Sequence, residues 1–170
     1  MARAMYSATV GVSCTKSAES LLAGDCMFVM NGDTYIDLDF SQMLAFHRQT
    51  GALATMAVAR VPDADRYGSL EVDQSGRVLA FCEKAKVKTG TRAGEKLING
   101  GVYLLRRECL DKIPTDCTVS LEREVLPELV SSSRVFAFVT DGYFLDIGTE
   151  DDYNRAQTEF TERFSSSHSH

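Results

Sequence analysis

The 170-residue chain is poor in the residues that metal and disulfide scaffolds need. It has three histidines, and its five cysteines, Cys14, Cys26, Cys82, Cys109 and Cys117, are scattered with no CxxC pair. Neither a zinc site nor a disulfide framework fits that spacing, and unpaired thiols of this kind belong to a reducing compartment. The chain also lacks a dense Lys/Arg block. With 24 acidic residues against 18 basic ones, nothing offers the grip that a nucleic-acid backbone requires. No apolar run approaches the roughly 20 residues of a membrane span, and Met1 to Ser13 do not show the basic-then-apolar order of a secretory signal. The expectation is a cytoplasmic protein with no nucleic-acid and no membrane partner.

What is there is the balance of a soluble globular domain, 44% hydrophobic and 25% charged. A chain of this size buries roughly 70% of its unfolded surface, enough for one core without staples. No internal repeat and no linker divides it. Residues 1–15 read as an irregular start and residues 165–170 as a disordered tail, which leaves 16–164 as the domain.

Lys16 to Leu22 fits a short helix ended by Gly24. Cys26 to Met30 is a continuous apolar run of the kind buried in a parallel sheet, and it stops at Asn31-Gly32-Asp33. Asp39, with Gln42 three residues on, caps a helix whose Phe40, Met43, Leu44 and His47 share a face and which Gly51 ends. His47 has no histidine partner there and reads as packing or surface rather than as a ligand. Leu53 to Val61 is apolar again, so strand, helix and strand follow as in a right-handed crossover. Gly68 to Val72 and Arg77 to Phe81 flank the polar turn Asp73-Gln74-Ser75-Gly76 and form an inserted hairpin.

Lys84 to Lys96 has no period and reads as a mobile loop. Leu97 to Leu105 is a strand in which Gly100-Gly101 signals close backbone approach. Ser120 caps a helix over Leu121 to Leu129, with Pro127 outside it or kinking it. Val135 to Val139 and Tyr143 to Asp146 are short strands around Asp141-Gly142, and Thr149 with Asp152 opens a last helix over Glu150 to Phe164.

The best-placed candidate for chemistry is a carboxylate at the carboxyl end of a buried strand, where open α/β sheets bind ligands. Asp33 holds that position, and Asp146 repeats the layout after Tyr143-Phe144-Leu145. Converging on one sheet edge, the two could share Mg²⁺, which takes one or two carboxylates and completes its shell from phosphate and water. Aspartates that merely end strands in turns are the plain alternative. At the end of the hairpin Glu83-Lys84 could meet a substrate phosphate as a point charge, or form a solvated surface pair. Asn99-Gly100-Gly101 could offer an amide and bare backbone to sugar hydroxyls, or be a strand bulge. Asp37-Leu38-Asp39 resembles the metal pair of nucleotide-sugar-dependent glycosyltransferases, against the helix-cap reading of Asp39.

In order along the chain, six segments resemble the sugar-phosphate nucleotidyltransferases, the nucleoside-diphosphate-sugar pyrophosphorylases. They are Phe28-Val-Met-Asn-Gly-Asp33, Arg66-Tyr-Gly-Ser69, Val78-Leu-Ala-Phe-Cys-Glu-Lys84, Ile98-Asn-Gly-Gly-Val-Tyr103, Ser120-Leu-Glu122 and Phe144-Leu-Asp-Ile-Gly-Thr-Glu-Asp-Asp-Tyr153. The Asn-Gly-Gly-Val-Tyr and Asp-Ile-Gly-Thr forms are most similar to bacterial guanylyltransferases acting on heptose 1-phosphate or mannose 1-phosphate. The resemblance implies a Rossmann-like α/β fold of the GT-A type, a mixed, mostly parallel sheet flanked by helices with an inserted β-hairpin. It implies that Asp33 and Asp146 hold Mg²⁺ and that Lys84 meets the sugar phosphate as the catalytic lysine. Backbone around Gly68, with Glu83, Asn99, Gly100 and Glu122, would hold the sugar. The implied reaction is attack of a sugar 1-phosphate oxygen on the α-phosphorus of a nucleoside triphosphate, GTP favoured, with pyrophosphate leaving. Such chemistry needs charge neutralisation and in-line positioning more than a covalent residue.

The resemblance runs from about Lys16 to Phe160. The family's opening strand and its Gly-x-Gly-x-Arg-Leu loop, followed by Pro-Lys, have no counterpart, and of a further Leu-Gly-Thr-Ala-Gly stretch only Gly11 is reminiscent. The chain therefore reads as the carboxyl-terminal part of such a domain, lacking the amino-terminal strands, with a sheet edge that invites a homodimer. Two other readings stand beside turnover. One is a module that binds a sugar phosphate or nucleotide sugar without reacting it, and the other is a glycosyltransferase using Asp37 and Asp39.

Overall fold

The computed structural model describes residues 4–7, 24–62, 69–82, 96–112, 120–132 and 134–165. In chain order its strands are β1 (Ala4–Ser7), β2 (Cys26–Asn31), β3 (Thr34–Ile36), β4 (Ala54–Val61), β5 (Ser69–Val72), β6 (Val78–Cys82), β7 (Lys96–Arg106), β8 (Val135–Thr140) and β9 (Phe144–Asp146). Its helices are α1 (Phe40–Thr50), α2 (Leu126–Ser131) and α3 (Glu150–Ser165), with a 3₁₀ segment at Arg107–Lys112 and a π turn at Leu121–Val125.

The main sheet has the order β1-β2-β7-β4-β8, with the β5–β6 hairpin joined to β7. Strands β1, β2, β4 and β8 run one way, and β7 runs against both of its neighbours. The architecture is the expected mixed α/β sheet flanked by helices. The crossover β2–α1–β4 is present, but β7 lies between its two strands.

One expectation is corrected. Within the stretch read as an irregular start, Ala4–Ser7 pair in parallel with Phe28–Asn31. Four residues are too few to show a period, and the pairing is supplied by the open edge of β2, which exists only once the sheet has formed. The helix read over Lys16 to Leu22 and the loop from Lys84 up to β7 lie outside the described residues, as does the tail past Ser165.

Alternation along the central strands sends Met27, Val29, Met56, Val58, Tyr103 and Leu105 into one core. Phe28, Ala57, Ala59, Val102 and Leu104 go into the other. Burial on both faces is why these strands read as continuous apolar runs. The first face is covered by Leu121, Val125, Leu126 and Leu129 with Leu70 and Val78 of the hairpin, the second by Met43 of α1 and Ile36 of β3. Fully buried side chains such as Met43, Leu126 and Leu129 each contribute roughly 1.5–3 kcal/mol relative to exposure.

Local signals account for the ends of the elements. Asp39 accepts from the backbone N–H of Ser41 and Gln42, both at 2.9 Å, and its other oxygen accepts from Gln42 Nε2 at 2.9 Å, so the N-cap is made but Gln42 bonds the cap side chain rather than its backbone N–H. The Gln42 N–H foremost holds the Asp39 carboxyl below the usual range. Gly51 closes α1 in the left-handed region at φ 62°. The hairpin turns on Asp73, whose Oδ1 accepts from the N–H of Ser75 at 2.8 Å and of Arg77 at 3.0 Å. Its tip is tied back to the main sheet, since Ala137 N donates to Gly76 O at 2.8 Å. Pro127 lies in the first turn of α2, at the change from π to α geometry, as a residue without an N–H requires.

His47 is buried between α1 and β4, with Nδ1 2.8 Å from Thr55 Oγ1 and Nε2 without a partner among the described residues. It packs into the core, one of the two placements expected of it. Burial, with the positive charge of Arg106, pushes the imidazole down from 6.5 to about 4. Between those values the unfolded chain binds a proton that the folded chain refuses, so stability is full above about pH 6.5 and falls as pH drops toward 4. The thermal midpoint is therefore expected to fall across that window, and His47→Gln to flatten that part of the profile. An unchanged slope in the variant would assign the acid sensitivity to other groups.

Candidate active site

Strand β2 ends at Asn31, and the Gly32–Asp33 turn hands the chain to β3. Strand β3 pairs antiparallel with β9, with Thr34 opposite Asp146, Tyr35 opposite Leu145 and Ile36 opposite Phe144. The Asp33 carbonyl accepts from Ile147 N at 2.7 Å. These pairings bring Asp33 and Asp146, 113 residues apart in sequence, onto adjoining segments. Asp146 Oδ1 accepts from Gly148 N at 3.0 Å, which orients that carboxylate.

Asp33 lines a cavity of about 340 Å³ together with Asn31, Tyr103, Ser120, Leu121, Glu122 and Arg123. Glu122 comes from the π turn that Ser120 caps, Ser120 Oγ accepting from Arg123 N at 3.2 Å. In the same turn Glu124 Oε1 accepts from Ser120 N at 2.8 Å. One glutamate thus completes the cap while the other faces β7. Glu122 Oε1 accepts from Tyr103 Oη, from Asn99 Nδ2 at 3.0 Å and from Asn31 Nδ2 at 3.3 Å.

A distortion of β7 makes this meeting possible. Met56 and Val58 of β4 pair with Tyr103 and Asn99, so two residues on one strand face four on the other. A regular strand would spread Asn99 and Tyr103 over roughly 13 Å, whereas the β4 step they match is about 7 Å long. The surplus is taken up at Gly100-Gly101. Gly101 has φ 73°, in the left-handed region that favours glycine. A Cβ on Gly101 would run into Thr34 Oγ1 and lie 3.1 Å from Asn31 Nδ2, and one on Gly100 would lie 2.5 Å from Ile36 Cδ1 and 3.0 Å from the Ala57 carbonyl oxygen. The close approach expected of this glycine pair is present.

The chain matches the Nucleotidyl transferase family profile over residues 8–163. It belongs to that family. The chain is 35% identical over 132 residues to the probable mannose-1-phosphate guanylyltransferase 2 of Oryza sativa, covering 77% of this chain and 35% of that protein. It is 34% identical over 140 residues to the mannose-1-phosphate guanylyltransferase of Mycobacterium tuberculosis, covering 81% and 38%. The crystal structure of HddC from Yersinia pseudotuberculosis superimposes with a TM-score of 0.72 at 30% identity, over 91% of this chain and 64% of that one. The same protein complexed with GMP-PN gives 0.73. The chain thus spans little more than a third of the curated relatives it matches.

Of the candidate site residues, the fold places Asp33 and Asp146 on adjoining segments, Asp146 opposite Thr34, and gathers Asn99, Gly100 and Glu122 at the bulge. Gly68, Glu83 and Lys84 lie outside the described residues. The Asp37 and Asp39 carboxylates are engaged elsewhere, Asp37 with Arg163 at 3.2 Å and Asp39 in the cap of α1. Asn31 and Tyr103 were missed as members of the site. Both sit inside the quoted motifs, but Tyr103 lies in the run Val102 to Leu105, where it looks like ordinary core. Because the bulge builds the site, Gly100→Ala and Gly101→Ala should each cost about 1–3 kcal/mol in urea unfolding. Gly24→Ala, with its nearest atom at 3.9 Å, should change stability little.

Proposed function

We propose that this chain serves guanylyl transfer to a sugar 1-phosphate of the mannose or heptose type. A phosphate oxygen of the sugar attacks the α-phosphorus of GTP and pyrophosphate leaves. The observation that carries this reading is the junction of two unlike chemistries: Asp33 on the segment that pairs with the strand ending in Asp146, and the Glu122 carboxylate among neutral donors, with Asp33 lining the same cavity as Glu122. One side suits a cation with phosphates, the other a neutral hydroxylated ring. The named activity of the mannose-1-phosphate guanylyltransferase relatives and the GMP-PN complex of HddC support it.

Asp33 and Asp146 would hold Mg²⁺. When bound, such an ion neutralises phosphate charge and steadies the leaving pyrophosphate. Two carboxylates suit it, because Mg²⁺ takes one or two of them and completes its shell from substrate phosphates and water. The chain's own part is binding and orientation: Lys84 for the sugar phosphate, and Gly68, Glu83 and the Asn99, Gly100 and Glu122 wall for the sugar. We further assign the chain a cytoplasmic setting, in keeping with the free thiols of Cys26 and Cys109. A homodimer across the sheet edge and no nucleic-acid partner complete the reading, supported by β1 ending the strand order and by the acidic balance.

The test is pyrophosphate release from GTP with mannose 1-phosphate or heptose 1-phosphate and Mg²⁺. Asp33→Asn and Asp146→Asn are each expected to lower the rate on the order of 100-fold. Release indifferent to both substitutions sinks the site assignment. Mg²⁺-dependent binding of the sugar phosphate without release identifies a binding module instead.

A further inference from the structure

The two oxygens of Glu122 are used unequally. Oε1 accepts from Tyr103 Oη, Asn99 Nδ2 and Asn31 Nδ2, while Oε2 takes no donor among the described residues. Both Asn99 Nδ2 hydrogens are engaged as well, since Nδ2 also donates to Tyr103 Oη at 2.6 Å, and Oδ1 accepts from Gly101 N at 3.1 Å. Tyr103 is completely buried. Burial first, then the Glu122 charge, pushes its phenol well above the ordinary tyrosine range. The hydroxyl therefore keeps its proton and donates a hydrogen bond to Glu122, while Asn99 fills its acceptor side. Three donors on one oxygen remove the carboxylate's freedom to rotate, and the other oxygen is left facing a single direction.

We propose that Tyr103 and Asn99 are positioning residues that saturate Glu122 Oε1 and thereby fix Oε2 as the acceptor for a sugar hydroxyl. The proposal rests on the reading above, in which Glu122 meets the sugar, and it recasts Asn99 from a sugar ligand into a support for one. Phenylalanine at 103 would keep the packing and lose only the O–H.

Two measurements on the intact chain test it. The first is calorimetric titration of mannose 1-phosphate with Mg²⁺ into wild type, Tyr103→Phe, Glu122→Ala and the double variant. Tyr103→Phe should weaken binding about 10-fold, the scale of one hydrogen bond to a charged group, and should add nothing once Glu122 is gone. Wild-type affinity in Tyr103→Phe, or additive losses in the double variant, overturns the proposal. The second needs no sugar: a buried O–H held by a carboxylate exchanges slowly, and proton NMR should show it as a downfield resonance. It should vanish in Tyr103→Phe and move in Glu122→Gln. A missing resonance, or one indifferent to Glu122→Gln, also overturns the positioning role. If wild type takes up no mannose 1-phosphate while the resonance behaves as expected, the functional reading fails and the fixing of Glu122 stands.

Discussion

The surplus of two residues in β7 is the constraint on which the site depends. Strand β7 is the hub of the sheet, hydrogen-bonded to β2, β4 and β5. A regular strand there would carry Asn99 and Tyr103 too far apart to share a partner, and a side chain at position 100 or 101 would push β3 away. Glycine at both positions lets the strand fold up on itself without losing its ladder on either side of the bulge. The same two residues therefore shape the wall formed by Asn99 and Glu122 and leave room for the segment that follows Asp33.

The placing of Asp33 and Asp146 depends on a second, smaller device. Strands β3 and β9 form a separate two-stranded sheet, with β3 packed against β7 of the main one, and their pairing sets the segment of Asp33 against that of Asp146. So short a ladder is marginal by itself. It is backed by α3, where Phe160 and Phe164 stack edge-on to Tyr35 at 5.0 and 6.1 Å between ring centroids, and Arg163 lies 4.8 Å over the Tyr143 ring while pairing with Asp37. The last helix therefore acts on the site from a distance, by holding the clasp shut.

Much of this was legible in the sequence wherever local chemistry decides. The doubly buried strands announce themselves as apolar runs, α1 by its Asp39 cap and Gly51 stop, and the hairpin by Asp73 to Gly76. Strand β3 was not legible, since three residues directly after Asp33 carry no period and are strand only because β9 meets them. The π turn was foreshadowed no further than a break near Pro127. Residues Asn31 and Tyr103 escaped for a related reason: their polar ends matter only after the β7 bulge and the Glu122 turn have met, and that meeting is tertiary. The family motifs pointed to Asn99 and Glu122 as partners of a ligand, but not to the bonds those two make with each other.

That mutual bonding bears on how a carboxylate can serve recognition at the mouth of an open cavity. Exposed glutamates are flexible, and a flexible acceptor loses conformational freedom each time a ligand binds. The π turn carries two glutamates and gives them different work. Glu124 reaches back to Ser120 N and stabilises the turn itself, which leaves Glu122 free of capping duty. Glu122 is then held from the other side by a tyrosine and two asparagine amides, all neutral, so its negative charge is oriented without being cancelled. An arginine in place of those donors would hold the carboxylate as firmly but neutralise it, and a neutralised acceptor binds a hydroxyl less strongly. Neutral donors on one oxygen are the arrangement that keeps the second oxygen both fixed and charged.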